Sequence, residues 1–285
     1  MKYFLGLPTG GACGDPTFVV ELCRRAEDAG WDGVLVEDYV CYQGDPRIPT
    51  CDSWTALAAV AVSTERILLG TSVTPLPRRR PWNVARQAAA IDQLSNGRMI
   101  LGVGIGDVGE IVKGGDASFN RFGEEDDPRA RAEMLDEGLE IIAGLWSSQP
   151  FSFSGKHYRV DEVTFLPRPA QQPRIPILVG GGYPTVGPTE RALRWDGSML
   201  YRETHGGPWE DMSAEDVAEL RRRAGDRPFE IIVGGRERNE DAERDRRHIA
   251  AVAEAGATGW CEWVAPTDVE TMRAAVARGP VRSNL

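Results

Sequence analysis

Short apolar runs alternate with amphipathic stretches along almost the whole chain. Lys2–Leu7 reads as a strand. The segment opened by Asp15–Pro16 places Phe18, Leu22, Ala26 and Ala29 at helical spacing and stops at Gly30. An aspartate followed by proline is a favourable helix start, and glycine a favourable stop. Gly33–Val36 is a second strand, a helix starts near Asp52–Ser53 and runs to Ser63, and Ile67–Val73 is the third strand. A helix over Pro81–Leu94, ended by Asn96–Gly97, leads to a fourth strand, Met99–Val103. After a glycine-rich, acidic loop from Gly104 to Asp127, the Asp-Pro start recurs at Asp127–Pro128 and the helix extends to Trp146.

Four further strands follow: Pro176–Val179, Gly197–Leu200, Phe229–Val233 and Thr258–Val264. The helices among them include Ser213–Ala224, Asp241–Ala255 and Asp268–Arg278, the last introduced by a capping box, Thr267 with Glu270. Strands that each lead into a helix imply parallel pairing with right-handed crossovers. Runs such as Ile67-Leu68-Leu69 are apolar on both faces, as a barrel stave requires. The fold class is therefore α/β, a (β/α)8 TIM barrel, with an open doubly wound sheet as the competing arrangement. Residues 147–175 break the rhythm with a hairpin pattern, Phe151 to Val160, and a proline-rich run. They read as an excursion between helix 4 and strand 5, packed on the outside of one domain spanning 1–285.

Composition narrows the partners. A net charge of −10 argues against a nucleic-acid or anionic-membrane surface. No apolar run reaches the roughly 20 residues of a membrane span, so a cytoplasmic protein is expected. The five cysteines (13, 23, 41, 51 and 261) show no C-x-x-C and suit reduced, packed thiols, with Cys41 and Cys51 the one conceivable pair. No metal-ligand cluster is visible.

In such a barrel the loops after the strands build the active site. Gly180-Gly181-Gly182 would let backbone N–H groups approach a phosphate, though three glycines can also be a flexible turn. Gly104 and Gly106 would give space beside a flat ring. Glu37-Asp38-Tyr39 puts two acids and a phenol at the mouth, and neighbouring residues on a strand end point opposite ways. Tyr39, Trp54, Trp82, the 105–125 loop and Trp263 would line a pocket for a flat or apolar substrate, with packing between helices an equal alternative for Trp54 and Trp82. His205 falls in a mouth loop, His157 in the hairpin and His248 on a charged, solvated helix. Arg78-Arg79-Arg80 reads as a solvated loop from which one arginine could reach an anionic tail. The only lysines are Lys2, Lys113 and Lys156, which disfavours Schiff-base chemistry in a lyase or isomerase.

The ordered set Ala29-Gly30-Trp31-Asp32-Gly33, Thr64 to Pro75, Leu94 to Gly104, Gly155-Lys156-His157-Tyr158, Leu166-Pro167-Arg168-Pro169 and Pro176 to Gly182 resembles the luciferase-like flavin- and deazaflavin-dependent oxidoreductases. The resemblance implies a non-proline cis peptide at Ser72–Val73 behind the cofactor ring, with Thr71 beside it, and phosphate contacts from Gly180, Gly181 and Gly182. It places Asp38 and Tyr39 as the catalytic pair, at positions where deazaflavin members carry Asp-His and bacterial luciferases His-His. Tyrosine replaces that histidine, so a histidine acid–base mechanism does not carry over. Asp38, Ser72 and the arginine-rich composition lean to coenzyme F420 and hydride transfer. The missing histidine leans to FMN and monooxygenation, or to a non-catalytic flavin-binding relative. The resemblance also implies a homodimer acting on a small molecule.

Overall fold

The computed structural model describes residues 1–107, 121–203 and 210–283. Its parallel strands are β1 (Lys2–Leu7), β2 (Gly33–Val36), β3 (Leu68–Thr71) with a short continuation β4 (Thr74–Pro75), and β5 (Met99–Gly104). An antiparallel hairpin, β6 (Phe151–Ser154) and β7 (Arg159–Val163), precedes β8 (Ile177–Tyr183), β9 (Gly197–Arg202), β10 (Glu230–Arg236) and β11 (Gly259–Trp263). The hydrogen-bonded order is β3-β2-β1-β11-β10-β9-β8-β5. Leu69 opposite Met99 and Gly70 opposite Ile100 then join β3 to β5 and close the ring. Closure settles the choice against an open sheet.

Helices surround the ring: α1 (Pro16–Asp28), α2 (Ser53–Ser63), α3 (Pro81–Leu94), α4 (Pro128–Trp146), α5 (Val186–Arg194), α6 (Ala214–Ala224), α7 (Ala242–Glu254) and α8 (Val269–Ala277). Asp15 and Asp127 cap α1 and α4 ahead of their prolines, as the sequence indicates. Two details differ from expectation. Asp268, not Thr267, caps α8, accepting from the Glu270 and Thr271 amides at 3.1 and 3.0 Å. Its carboxylate stands one residue closer to those donors. Helix α5 was not foreseen, because its Val-Gly-Pro start directly follows glycines and proline and reads as loop. Among the described residues no helix is long and apolar enough to cross a membrane.

Strand alternation sorts the core into two bodies. Leu5, Leu7, Val34, Val36, Leu101, Val103, Ile177 and Val179 face outward and join the helices in one large cluster. Phe4, Leu35, Ile100, Leu178, Ile232 and Cys261 face inward, with Leu68 and Met199, and plug the barrel axis. Two residues further along each stave, the inward positions are Gly6, Gly70, Gly102, Gly180 and Gly234. Only β2, β9 and β11 place side chains in this upper layer: Glu37, Tyr201 and Trp263. A packed apolar plug beneath a layer of glycines leaves the C-terminal mouth hollow.

The excursion packs outside the barrel. Its hairpin turn donates the Lys156, His157 and Tyr158 amides to the Glu137 carboxylate of α4 at 2.7, 3.0 and 2.9 Å. Further on, Arg86 and Gln93 of α3 hold the Leu166 and Arg168 carbonyls. All five cysteines are buried and free, Cys41 and Cys51 included. Burial raises the Cys13 thiol to about 12 and the Cys51 thiol to about 11.

Candidate functional site

A cleft of about 360 Å³ opens at the mouth between the ends of β2, β3, β5, β8 and β9. That volume lies within the range of small-molecule sites. Its inner wall is made where β3 ends. The Ser72–Val73 peptide is cis, as the resemblance implies. Val73 projects between two glycines: a Cβ on Gly104 would stand 2.8 Å from Val73 Cγ2, and one on Gly180 2.7 Å from Val73 Cγ1. Any larger residue at either site would displace the wall. Thr71, expected beside the cofactor, is instead fully buried and donates its hydroxyl to the Gly102 carbonyl at 2.7 Å. It supports the bulge from behind rather than lining the cleft, because outward alternation turns it toward the helices.

The far end is built by β8 and α5. Gly181 has φ +151°, and a Cβ there would meet Pro188 at 2.7 Å, so the strand lies directly against the first turn of α5. Thr185, the residue before α5, makes no side-chain cap and gives its hydroxyl to Glu203 Oε2 at 2.7 Å. The first-turn amides of α5 therefore have no capping side chain, and Thr185, Gly187 and Pro188 line the cleft. A helix N-terminus beside a glycine run favours an anion. Arg191 lines this end too, buried and held by Asp136 through two hydrogen bonds of 2.7 and 3.0 Å.

The near end is acidic. Asp38 and Glu37 both line the cleft, with opposite fates. The Asp38 carboxylate accepts Arg79 Nε at 2.8 Å, Arg79 NH2 at 2.6 Å and the Trp54 indole at 3.3 Å. Burial alone would push its pKa up, but the charge and hydrogen bonds of Arg79, with Arg78 and Thr74, outweigh this and hold it below the usual range. Arg78 also donates to the Asp38 carbonyl at 2.5 Å. The arginine run is thus an internal clamp on Asp38, not a solvated patch, and Arg80 lies over Trp82.

Tyr39 donates its hydroxyl to Asp107 Oδ2 at 3.3 Å and meets Tyr42 edge-on, 5.2 Å between rings. Burial raises the pKa of Tyr39, and Asp107 and Glu37 add to the rise. Burial raises Asp107 as well, while Tyr39, Arg78 and Arg131 pull it back. Arg131 of α4 fixes the Asp107 backbone through its carbonyl at 2.8 Å. Gly106, with φ +80°, turns the chain so that Asp107 borders the cleft.

Ser72, Val73, Gly104, Gly106, Gly180, Gly181, Gly182, Asp38 and Tyr39 thus meet in one cleft. Trp54 and Trp82 do not join them. Trp54, in the first turn of α2, is buried against Asp38, and Trp82 packs edge-on to Tyr158 of the hairpin, 6.2 Å between rings. Trp263 stands in the upper layer near Glu37 but does not line this cleft; it borders a separate pocket with Arg238, Thr267 and Arg278 beside α8. His205 lies outside the described residues. His248 is half-buried against Trp260 rather than solvated. Sequence reading missed Asp107, Arg191, Thr185 and Glu203; only the inward register after Leu35 could have singled out Glu37.

Fold and cleft together define a (β/α)8 barrel with a side-set ligand cleft at its C-terminal mouth. The chain belongs to the luciferase-like monooxygenase family, whose sequence profile matches residues 4–258. It is 35% identical over 176 residues to an F420-dependent glucose-6-phosphate dehydrogenase of Amycolatopsis mediterranei, covering 60% of this chain and 49% of that protein. The chain therefore spans about half the length of that relative. Among solved structures, an F420-dependent secondary alcohol dehydrogenase in complex with an F420-acetone adduct superposes with a TM-score of 0.76 at 18% identity, covering 99% of both chains. Monooxygenase RslO1 from Streptomyces bottropensis gives 0.70 at 23% identity, covering 97% of this chain and 96% of that one. These two likenesses show the shared fold.

Proposed function

We propose that the protein is an oxidoreductase that seats coenzyme F420 in the mouth cleft and exchanges hydride with a small organic substrate. The observation that carries this reading is the Val73 wall between Gly104 and Gly180, continued by glycines into the uncapped start of α5. A flat ring fits against such a wall, and a phosphate fits the helix start. The F420 name of the sequence relative supports the choice of cofactor. When bound, F420 supplies hydride transfer without oxygen chemistry.

The chain's own residues have separable roles. Ser72 and Val73 back the ring, Gly104 and Gly106 leave room for it, and Gly180–Gly182 with Thr185 receive the phosphate. Tyr39, with Asp107 as its acceptor, orients polar groups at the reacting end. Asp38 acts through Arg79 and Trp54 by fixing the end of β2. A second reading, FMN-dependent monooxygenation, is favoured by Tyr39 standing where deazaflavin relatives carry histidine. The family resemblance supports a single-domain chain working as a cytoplasmic homodimer, which light scattering on the purified protein would check.

Equilibrium titration of the apo-protein with F420 and with FMN, followed by fluorescence, tests the reading. Tight binding of F420 is expected. Binding of FMN alone would replace it by the second reading, and binding of neither would remove the redox function.

A further inference from the structure

Glu37 is the one carboxylic residue in the inward layer above the apolar plug, two positions after Leu35 on β2. Its neighbour Asp38 faces outward and takes the cations. Among the described residues no arginine or lysine hydrogen-bonds to Glu37, and its Oε2 is buried without a hydrogen-bond partner. The donors beside it are the Tyr42 hydroxyl and the Trp263 indole, and the Trp263 Nε1 also has no partner within hydrogen-bond geometry. Other titratable groups facing it are Tyr39 and Asp107, with Cys13 and Cys261 further into the packing. Glu37 nevertheless borders the cleft. A buried acid kept only for packing would be expected to have both oxygens satisfied, because an orphaned polar atom costs about 1–3 kcal/mol.

We propose that Glu37 is the proton-exchanging group of this site, giving its proton to the oxygen of a carbonyl substrate and taking one from the corresponding alcohol. The proposal rests on the hydride-transfer reading above. In the reducing direction, the carbonyl carbon accepts hydride from the reduced deazaflavin. The C–O π pair moves to oxygen and takes the Glu37 proton, leaving an alcohol and a carboxylate that regains its proton from water. In the oxidising direction, the Glu37 carboxylate takes the hydroxyl proton as the C–H pair leaves as hydride. A proton donor must be uncharged yet able to ionise near the working pH. Burial raises Glu37 to about 8; Asp107 adds to the rise, and Tyr42 and Trp263 oppose it. It therefore holds its proton at neutral pH, on a side chain that borders the cleft and whose Oε2 has no hydrogen-bond partner among the described residues.

The test has an arm that needs no cofactor. Infrared spectra of the apo-protein in D2O at pH 6–10 are expected to show a protonated-carboxyl band that fades around pH 8 and is absent from Glu37→Gln. Should that variant not fold, a displaced band in Glu37→Asp makes the assignment. In turnover, Glu37→Gln is expected to bind F420 as the wild type does and to lose about 100-fold or more in carbonyl reduction. Glu37→Asp should recover part of that loss. Wild-type reduction should decline above pH 8, and this limb should vanish in Glu37→Gln. A wild-type protein that binds F420 and turns over with no such band, or a Glu37→Gln variant within about threefold of wild type, would overturn this inference alone. A wild-type protein that binds neither F420 nor FMN would overturn the functional reading and this role together.

Discussion

Val73 and Gly180 fit against one another so closely that a Cβ on Gly180 would lie 2.7 Å from Val73 Cγ1. The wall of the cleft therefore depends on a missing side chain. Gly180→Ala is expected to displace Val73 and weaken cofactor binding by roughly tenfold or more, equivalent to about 1.4 kcal/mol. Circular dichroism should stay that of the wild type, since the change sits above the packed plug. Fluorescence titration reads the outcome, and an unchanged Kd would show that the cofactor does not rest on this wall.

Tyr39 offers its hydroxyl to Asp107 across 3.3 Å, at the acidic end of the cleft. Tyr39→Phe keeps the ring and its edge contact with Tyr42 while removing that hydrogen bond. Turnover is expected to fall by about 10–100-fold with cofactor affinity retained. A kcat equal to that of the wild type would remove the phenol from the chemistry.

Asp38 anchors two buried arginines. Asp38→Asn leaves Arg79 and Arg78 facing a neutral amide, and breaking such a buried pair costs about 3–5 kcal/mol. Urea unfolding should show a clear drop in midpoint, partly restored when Arg79 is also replaced by Leu. Because the folded carboxylate ionises below its usual range, its stabilisation is complete above the unfolded-state pKa of about 4 and disappears as the pH falls through the folded value.

Glu37 carries the opposite dependence. Its carboxyl holds a proton to about pH 8 in the folded chain, against an ordinary value of 4.5. Between those values the folded state binds more protons than the unfolded one, so stability falls as pH rises. Glu37→Gln abolishes this term. Melting curves are expected to show the variant gaining on the wild type from pH 5 to pH 8, and a constant difference would mean that the acid is already ionised.

The alternation of apolar staves and capped helices made the barrel legible, because each stave is short, apolar and bounded by local signals such as Asp15-Pro16 and Asp127-Pro128. Helix α5 escaped because glycine and proline at its start speak for a turn when read without the barrel behind them. In the cleft, the glycines were visible as a motif, since close approach leaves a compositional trace. The partners of Arg78 and Arg79 were not, because the strand end that receives them lies some 40 residues earlier in the chain. The split between Glu37 and Asp38 was implicit in the strand period, but assigning inside and outside required Leu35 to be fixed as a plug residue first.

The hollow upper layer gives the mouth a division of labour. The arc from β3 through β8 meets the cleft wall with glycine and backbone, so mutation there has little room to vary. The arc of β9 and β2 meets the same space with Tyr201 and Glu37, side chains that can be exchanged without touching the ladder of the sheet. New reactivity can therefore be evolved, or engineered, on one side of the rim while the other is left as it is.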